Sequence, residues 1–530
     1  MSSSAQQGPA WTNPRATVRP QPAPVKQIPP KKIAVRTIGT VDDVQLPLLP
    51  VAPPLSCTEW RDPMSSAVGW LVVDRRVNGI SGGGTFLWHG ATAEETRGIA
   101  RTMSKKFAIC PKPIGGAKAG IRCDLKDPVE RRAVLRRFLQ SMRSELKERW
   151  VTAGDFGTSD AFIDQTIREL TGNSMQWALY RQTAGDEAKA LRLSARAPDL
   201  YRVNMSEALL DADARRPEFE MPFVEAAVGF GIVQSTLATY TKLEPRRIGL
   251  EKPLEGVRIA VAGAGAVGTG VMLYASRLGA QIIAVSDGEG LLFDSRGLDV
   301  ERMLRLRARF VSRLPEEQRL HAGKLLFKYV ANSCYAPERL VTRASLEAES
   351  PELSRFVEPL LSHMLRNAEA ANVFVPAASR YHWNVMAAEM ATQGLWKCAA
   401  PRLLVAGANN VFGAPGDDGN GVGLPPAEAD STEILKRMCE QGVVHVPDFR
   451  ANGGTAQLFH CHAAGELDWI LDGAPTGVPV LSREDQNLAL HATSHRIRKA
   501  VLEDLDLCDP DCLDLPHRAE IRVAKQLADL

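Results

Sequence analysis

An α/β fold, with a parallel sheet of the dinucleotide-binding kind in its second half, is what this chain of 530 residues predicts. The run 257–263 (VRIAVAG) reads as a strand, apolar apart from Arg258, and ends in a glycine turn that opens a helix; QIIAVSD at 281–287 follows as the next strand. That succession is a βαβ unit and implies a parallel sheet covered on both faces. Further apolar strands recur at 372–378 (NVFVPAA), 402–409 (RLLVAGAN) and 443–448 (VVHVPD), with helical segments between them. The expected architecture is a Pro-rich flexible tail at 1–55, an N-terminal α/β catalytic domain at 56–225, a Rossmann-type domain at 226–460 and a C-terminal helical segment at 461–530.

The first domain is read element by element. VGWLVVD (68–74) predicts one strand and GGGTFLW (82–88) a second, entered through glycines. Thr92 with Glu95 is a capping-box signature, so a helix starts there. Ile99, Met103 and Lys106 share one face of it, which aims a cation at the apolar side and calls for a partner or a job. From 128 to 150 one helix is expected, with Leu135, Phe138, Leu139, Met142 and Leu146 as its core stripe and Arg131, Arg132, Arg136 and Arg137 on a solvated face. Residues 183–220, 301–370 and 411–426 read as longer excursions. Two amphipathic helices, 485–504 and 517–530, are expected to close back over the first domain, the former with Leu490, Ile497 and Val501 facing inward.

Composition removes several classes. Lys+Arg number 64 against 62 Asp+Glu, a net charge of +2, which gives no reason to expect nucleic acid or an anionic membrane as partner. No apolar run approaches the roughly 18–20 residues of a membrane-spanning helix. Nine scattered cysteines argue for reduced thiols and a cytoplasmic setting. The basic, proline-interrupted start leaves organelle targeting as the alternative. His460-Cys461-His462 and the pair Cys508 and Cys512 lack a second ligand pair at zinc spacing, so no metal is expected; on a strand the two imidazoles would share a face.

Three constellations carry chemistry. In Gly263-Ala-Gly265-Ala266-Val267-Gly268 the first glycine permits the tight turn, the second lets backbone approach a pyrophosphate, and the third allows close helix–strand packing. Asp287, nineteen residues past Gly268, ends the next strand, where a carboxylate can accept from ribose hydroxyls. A carboxylate there repels a 2′-phosphate, which favours NAD, with NADP as the alternative. PIGGAKAGI (113–121) leaves Lys118 with almost no side-chain cover, either a structural turn or a lysine enclosed enough to lose its proton near neutral pH. TAGDFGTS (152–159) holds Asp155 in a small-residue turn, by itself an ordinary turn aspartate.

Lys106 twelve residues before Lys118 within GGAKAG, Asp155 in TAGDFGTS, the 263–268 fingerprint, PAA (376–378), GAN (407–409) and PDFRANGG (447–454), in this order, resemble the glutamate/leucine/phenylalanine/valine dehydrogenase family. The resemblance implies a dimerisation-type N-terminal domain, a homo-oligomer, and NAD-linked reversible oxidative deamination of an L-amino acid to a 2-oxo acid and ammonia. It implies Lys118 and Asp155 as catalytic residues, with Lys106, Gly83, Gly84 and Asn452 binding substrate. Gly263, Gly265, Ala266, Val267, Gly268, Asp287, Ala377 and Asn409 would bind the cofactor.

The chain also departs from that family. The position that holds a further lysine in glutamate dehydrogenases is Gly82 here, an arginine position is Phe86, and a serine position falls near Leu458. A side-chain carboxylate would be left uncompensated, at a cost of several kcal/mol. The expectation is therefore an apolar or aromatic amino acid in a pocket widened by Gly82. The alternatives are glutamate with a relocated contact, or a non-catalytic dinucleotide-binding regulator. Val228-Gly229-Phe230-Gly231 replaces the family's TGxG segment, so a threonine that would face the nicotinamide carboxamide is lost.

Overall fold

The computed structural model describes residues 53–111, 113–202, 223–311, 326–333, 335–349, 371–378, 402–409, 442–467, 469–470, 483–508 and 515–528, with short pieces between 411 and 438. The tail at 1–52 lies outside the described residues, as do parts of the three expected excursions.

The first sheet comprises β1 (Ser56–Arg61), β2 (Val68–Val73), β3 (Ser81–Gly82), β4 (Thr85–Trp88), β5 (Gly115–Arg122) and β6 (Trp150–Val151). Its order is β1-β2-β5-β3-β6, with β4 continuing the line of β3 along β5. The run 82–88 is thus two short strands, broken at Gly83-Gly84. There the chain turns its bonds both ways: Gly83 N–H donates to the Val151 carbonyl, while the Gly84 carbonyl accepts from Ala119 N–H.

Helix α1 (Ala93–Phe107) begins as expected, with Thr92 accepting from Glu95 N–H at 3.1 Å. It lies directly on β5. A Cβ added at Gly116 would sit 2.2 Å from Ser104 N, and one at Gly120 would sit 2.4 Å from Thr96 Oγ1. The glycines on either side of Lys118 therefore admit a helix.

The helix expected over 128–150 is interrupted at Met142, giving α2 (Pro128–Ser141) and α3 (Arg143–Glu148); its five core residues are buried. Its arginines lie toward solvent as expected, Arg132 and Arg136 exposed and Arg131 and Arg137 half-buried, but each meets a partner there. Arg137 forks onto both oxygens of the buried Asp62 at 2.6 Å each, Arg131 donates to the Leu87 carbonyl, Arg136 pairs with Glu169 and Arg132 lies over the Phe162 ring. Helical spacing locates the face, but not the carboxylates and rings that other elements bring to it. Helices α4 (Asp160–Thr171), α5 (Trp177–Thr183) and α6 (Glu187–Arg202) complete this half.

After α7 (Phe223–Leu243) come β7 (Arg258–Ala262), α8 (Ala266–Arg277), β8 (Gln281–Ser286), β9 (Gly290–Phe293), α9 (Val300–Val311), α10 (Leu326–Ala331), β10 (Arg339–Thr342) and α11 (Arg343–Glu349). Then follow β11 (Val373–Pro376), β12 (Arg402–Val405), β13 (Ala414–Asp417), β14 (Gly423–Leu424), β15 (Val443–Val446), α12 (Asp448–Ala451), α13 (Gly454–Ala464), α14 (Arg483–Asp506) and α15 (Leu515–Ala528). The second sheet has the order β10-β9-β8-β7-β11-β12-β15. It is parallel from β8 to β15, as the βαβ pattern predicts. β9 and β10 add an antiparallel edge that the sequence did not reveal. Chain order reverses between β7 and β11, the point where open α/β sheets bind ligands beyond their strand ends.

Of the two final helices, α15 closes back over the first domain as expected, whereas α14 packs mainly on α7 and α13 instead. Leu490, Ile497 and Val501 of α14 are buried. Ala519 and Val523 of α15 pack with Ala108 and Phe449, and Lys105 of α1 pairs with Glu520. His460 and His462 lie on α13, a helix rather than a strand, where residues two apart do not share a face. Among the described residues no helix is long and apolar enough to cross a membrane, and no group of three or more His, Cys, Asp or Glu could hold a metal ion.

Candidate active site

Lys118 stands in the middle of β5, 2% exposed, and donates to Asp155. The aspartate reaches it because 150–156 runs along the outer edge of β3 and β4. Thr85 N–H bonds to the Ala153 carbonyl and Leu87 N–H to the Phe156 carbonyl, so Asp155 lies one strand away from β5. That strand carries Gly84 at the crossing point, where a Cβ would stand 3.3 Å from Asp155 Cβ.

The turn after Asp155 is built for it. Asp155 N–H donates to Thr158 Oγ1 at 2.9 Å and Phe156 N–H to Asp155 Oδ1 at 2.6 Å. Gly157 takes φ +77, with its backbone so close to the Leu87 carbonyl that a Cβ would lie 2.0 Å from that oxygen. A side chain there would be strained twice over. Gly154 N–H donates to Asp160, whose burial pushes its own carboxyl upward.

Lys106, at the end of α1 and 4% exposed, turns its ammonium to two amide oxygens: Asn409 at 2.7 Å and Asn452 at 3.2 Å. Asn452 in turn donates to the Gly407 carbonyl at 2.7 Å. Burial lowers the Lys106 ammonium to about 8; Lys118 pushes the same way, while Asp448 and Asp155 oppose. The two lysines and Asp155 therefore act on one another through space. Buried charges carry such a cost unless paired, and uncharged amide oxygens pair a cation only in part.

At the strand ends of the second sheet, Gly263 turns with φ +104, and a Cβ would meet Ala378 at 2.7 Å. Gly268 packs on the Gly263 carbonyl. Gly265 is the N-cap of α8 and supplies no side-chain cap, so first-turn N–H groups stand ready for an anion. Ala266 and Val267 form that first turn. Ala377 follows β11 and donates to the Ala262 carbonyl, and its Cβ lies beside Gly407. These residues fit a dinucleotide pyrophosphate laid on the helix N-terminus. Arg307 of α9, which the sequence did not single out, donates to the Ala264 carbonyl at 3.1 Å and to Thr269 at 2.5 Å, bracing the turn from below.

Asp287 ends β8 with both carboxylate oxygens already accepting, Oδ1 from Glu289 N–H at 2.8 Å and Oδ2 from Phe327 N–H at 2.7 Å. Burial nonetheless pushes it up to about 6. Its first role is to tie α10 to the turn between β8 and β9.

One expectation fails. Gly82 widens nothing: a Cβ there would meet Ile114 Cδ1 at 2.8 Å, Phe107 Cζ at 3.2 Å and Val151 Cγ2 at 3.2 Å. It sits inside β3 between β5 and β6, where core side chains already fill the space. Phe86 and Leu458 are fully buried as well. Gly83 lies against the Ala117 carbonyl.

The site thus joins a glycine turn that fits a dinucleotide pyrophosphate to a lysine–aspartate pair suited to proton transfer. Residues 224–410 match the family model described as Glutamate/Leucine/Phenylalanine/Valine dehydrogenase, and residues 58–171 match its dimerisation domain. The chain belongs to this family. An NADP(+)-dependent glutamate dehydrogenase of Pyrobaculum calidifontis is 22% identical over 405 residues, covering 76% of this chain and 73% of that protein. An NAD-specific glutamate dehydrogenase A of Halobacterium salinarum is 25% identical over 236 residues, 44% of this chain and 46% of its own length. In fold, the chain is similar to the hetero-hexameric glutamate dehydrogenase of Thermus thermophilus in its Leu-bound form, with a TM-score of 0.53 and 21% identity, covering 89% of each chain. Plasmodium falciparum glutamate dehydrogenase gives a TM-score of 0.55 at 16% identity, covering 90% of this chain and 84% of that one.

Proposed function

We propose that the protein oxidatively deaminates an L-amino acid in the cytoplasm, as a homo-oligomer, with Lys118 and Asp155 as its catalytic residues. The observation that carries this reading is the buried Lys118–Asp155 pair across Gly84, electrostatically coupled to Lys106. A nicotinamide held at the glycine turn of Gly263, Gly265 and Gly268 would supply the hydride acceptor for the substrate α-carbon. Lys106 holds the α-carboxylate, which replaces amide oxygens with a full charge and relieves its buried ammonium. Lys118, having passed its proton along the bond to Asp155, takes one from water as that water attacks the iminium carbon; Asp155 then protonates the leaving amine. Asn409 and Asn452 steer Lys106, Gly83 and Gly84 let backbone close in beside Lys118 and Asp155 at the substrate site, and Asp287 receives ribose hydroxyls on its remaining lone pairs, favouring NAD over NADP.

Apolar Phe86 and Leu458 at positions where glutamate dehydrogenases carry an arginine and a serine favour an apolar or aromatic side chain on the substrate, although both residues pack in the core and neither is exposed to a pocket. Glutamate is the second reading, supported by the names of the relatives. A panel of 2-oxo acids with ammonia and each reduced nicotinamide tests both. Faster turnover of branched or aromatic 2-oxo acids sustains the first, and preference for 2-oxoglutarate the second. Tight NADH binding with no turnover on any acid would overturn both.

A further inference from the structure

Behind Asn452 stands a chain of buried charge with no part in the chemistry above. Helix α12 is four residues long and ends on Asn452. Arg450, within it, is fully buried, and its guanidinium reaches across to α14, where Nε meets Asp504 Oδ2 at 2.7 Å and Nη2 meets Asp504 Oδ1 at 3.3 Å. Asp504 is fully buried too, and receives a second cation from the last helix, Arg522 Nη1 at 2.8 Å. Arg522 also holds Glu503.

Two residues earlier on that helix, Glu520 pairs with Lys105, the neighbour of Lys106 on α1. The Phe449 ring fills the gap: Lys105 Nζ stands 5.2 Å from its centroid and Arg450 Cζ 5.4 Å. Ala108, Ala519 and Val523 close around the same ring. Farther along, Arg75 donates to the Leu527 carbonyl at 2.9 Å.

Helix α15 thus grips both sides of one contact. Through Glu520 it holds the end of α1 that carries Lys106; through Arg522, Asp504 and Arg450 it holds the short helix that carries Asn452. We infer that α15 and Asp504 form a positioning clamp for the Lys106–Asn452 junction, and so set the affinity of the site for the substrate α-carboxylate. None of these residues touches the reacting atoms. A buried Arg–Asp–Arg arrangement is weak evidence for stability as such, because desolvation offsets much of the attraction, whereas its fixed fork geometry suits it to holding a register. The inference rests on the reading of Lys106 as the carboxylate ligand.

The test is a pair of double-mutant cycles on the full-length protein: Asp504→Asn alone and combined with Asn452→Ala, and Glu520→Gln alone and combined with Lys106→Ala. Readouts are KM for the 2-oxo acid, kcat and NADH affinity from fluorescence titration. The expected result is a rise in KM of about tenfold for Asp504→Asn and about threefold for Glu520→Gln, with kcat and NADH affinity within about twofold. In these backgrounds neither change should raise KM further, because each arm of the clamp acts through the side chain that its cycle removes. Full additivity in both cycles overturns the inference, since a general loss of packing would act whether or not Asn452 or Lys106 is present. Glu520 is part-exposed, so its cycle stands even where Asp504→Asn fails to fold. Lys106→Ala separates the two claims: if it leaves KM unchanged, the reading of Lys106 has failed, and if it raises KM while the cycles are additive, only the clamp has.

Discussion

The nucleotide edge and the charged cluster are assembled in different ways. Gly263 to Gly268 take their shape from six consecutive residues, and the anion site there is made of backbone alone. The cluster draws Lys106, Lys118, Asp155, Asn409 and Asn452 from α1, β5, the edge of β4, the segment after β12 and the end of α12. Backbone N–H groups carry no desolvated formal charge, so a local turn can present them unaided. A buried ammonium needs compensation from several directions, and elements far apart in sequence must supply it. Substitutions at the cluster should therefore act on chemistry and substrate affinity with NADH binding kept, while those at the turn should do the reverse.

The largest effect is expected at Lys118. Lys118→Ala should lower kcat about 10³-fold, with NADH fluorescence titrating as in the parent protein. Retention of full rate would remove Lys118 from the mechanism. Next is Lys106→Ala, which should raise KM for the 2-oxo acid about 100-fold, the loss of a charge-assisted hydrogen bond to a carboxylate, and leave NADH affinity alone. Lys106 also predicts a pH dependence. Its buried ammonium titrates at about 8, so affinity of the free site for a 2-oxo acid should fall about tenfold per pH unit above that value. A pH-independent affinity between 7 and 9.5 (about one and a half decades of range) would show that another group holds the carboxylate. On the other side of the comparison, Gly263→Val should weaken NADH about 10²-fold, because the left-handed turn is strained for any side chain and this one would strike Ala378.

How much of this was legible in the sequence follows the same division. The βαβ unit, the fingerprint and five parallel strands are local patterns, and all stand where the periodicity puts them. Lys106 on the apolar face of α1 was legible as an anomaly, though not its partners, since nothing in a sequence states that residues 303 and 346 positions further on will meet it. Gly82 was misread because a glycine in a list of motif positions looks like empty space; only packing shows that Ile114 and Phe107 have taken it. The arginines of α2 do lie toward solvent as their spacing says, but helical spacing states which way a side chain leaves and not whom it meets.

Asp287 belongs to both halves of the comparison, and the smallest predicted effect tests which it serves. Its carboxylate is local in sequence to the nucleotide turn, yet it is buried and holds α10 through Phe327 N–H. Burial raises it from an ordinary carboxylate value of 3.8 to about 6. Between those values the native state keeps a proton that the unfolded chain has released, so this group's contribution to stability falls as pH rises through that window. Asp287→Asn removes the titration, and the change in Tm between pH 4 and 6 should shift in the direction of greater stability at the upper end relative to the parent. Its amide still accepts one of the two N–H bonds but turns a donor toward the other, so the absolute Tm is a poor guide and the pH slope is the quantity to measure. If the charge also stands near the 2′ position of a bound ribose, the same variant should gain affinity for NADPH relative to NADH by about threefold, the scale of one screened charge contact. A changed slope with an unchanged NADPH to NADH ratio would make Asp287 a tether for α10 alone, and cofactor preference would then have to come from the turn between β8 and β9.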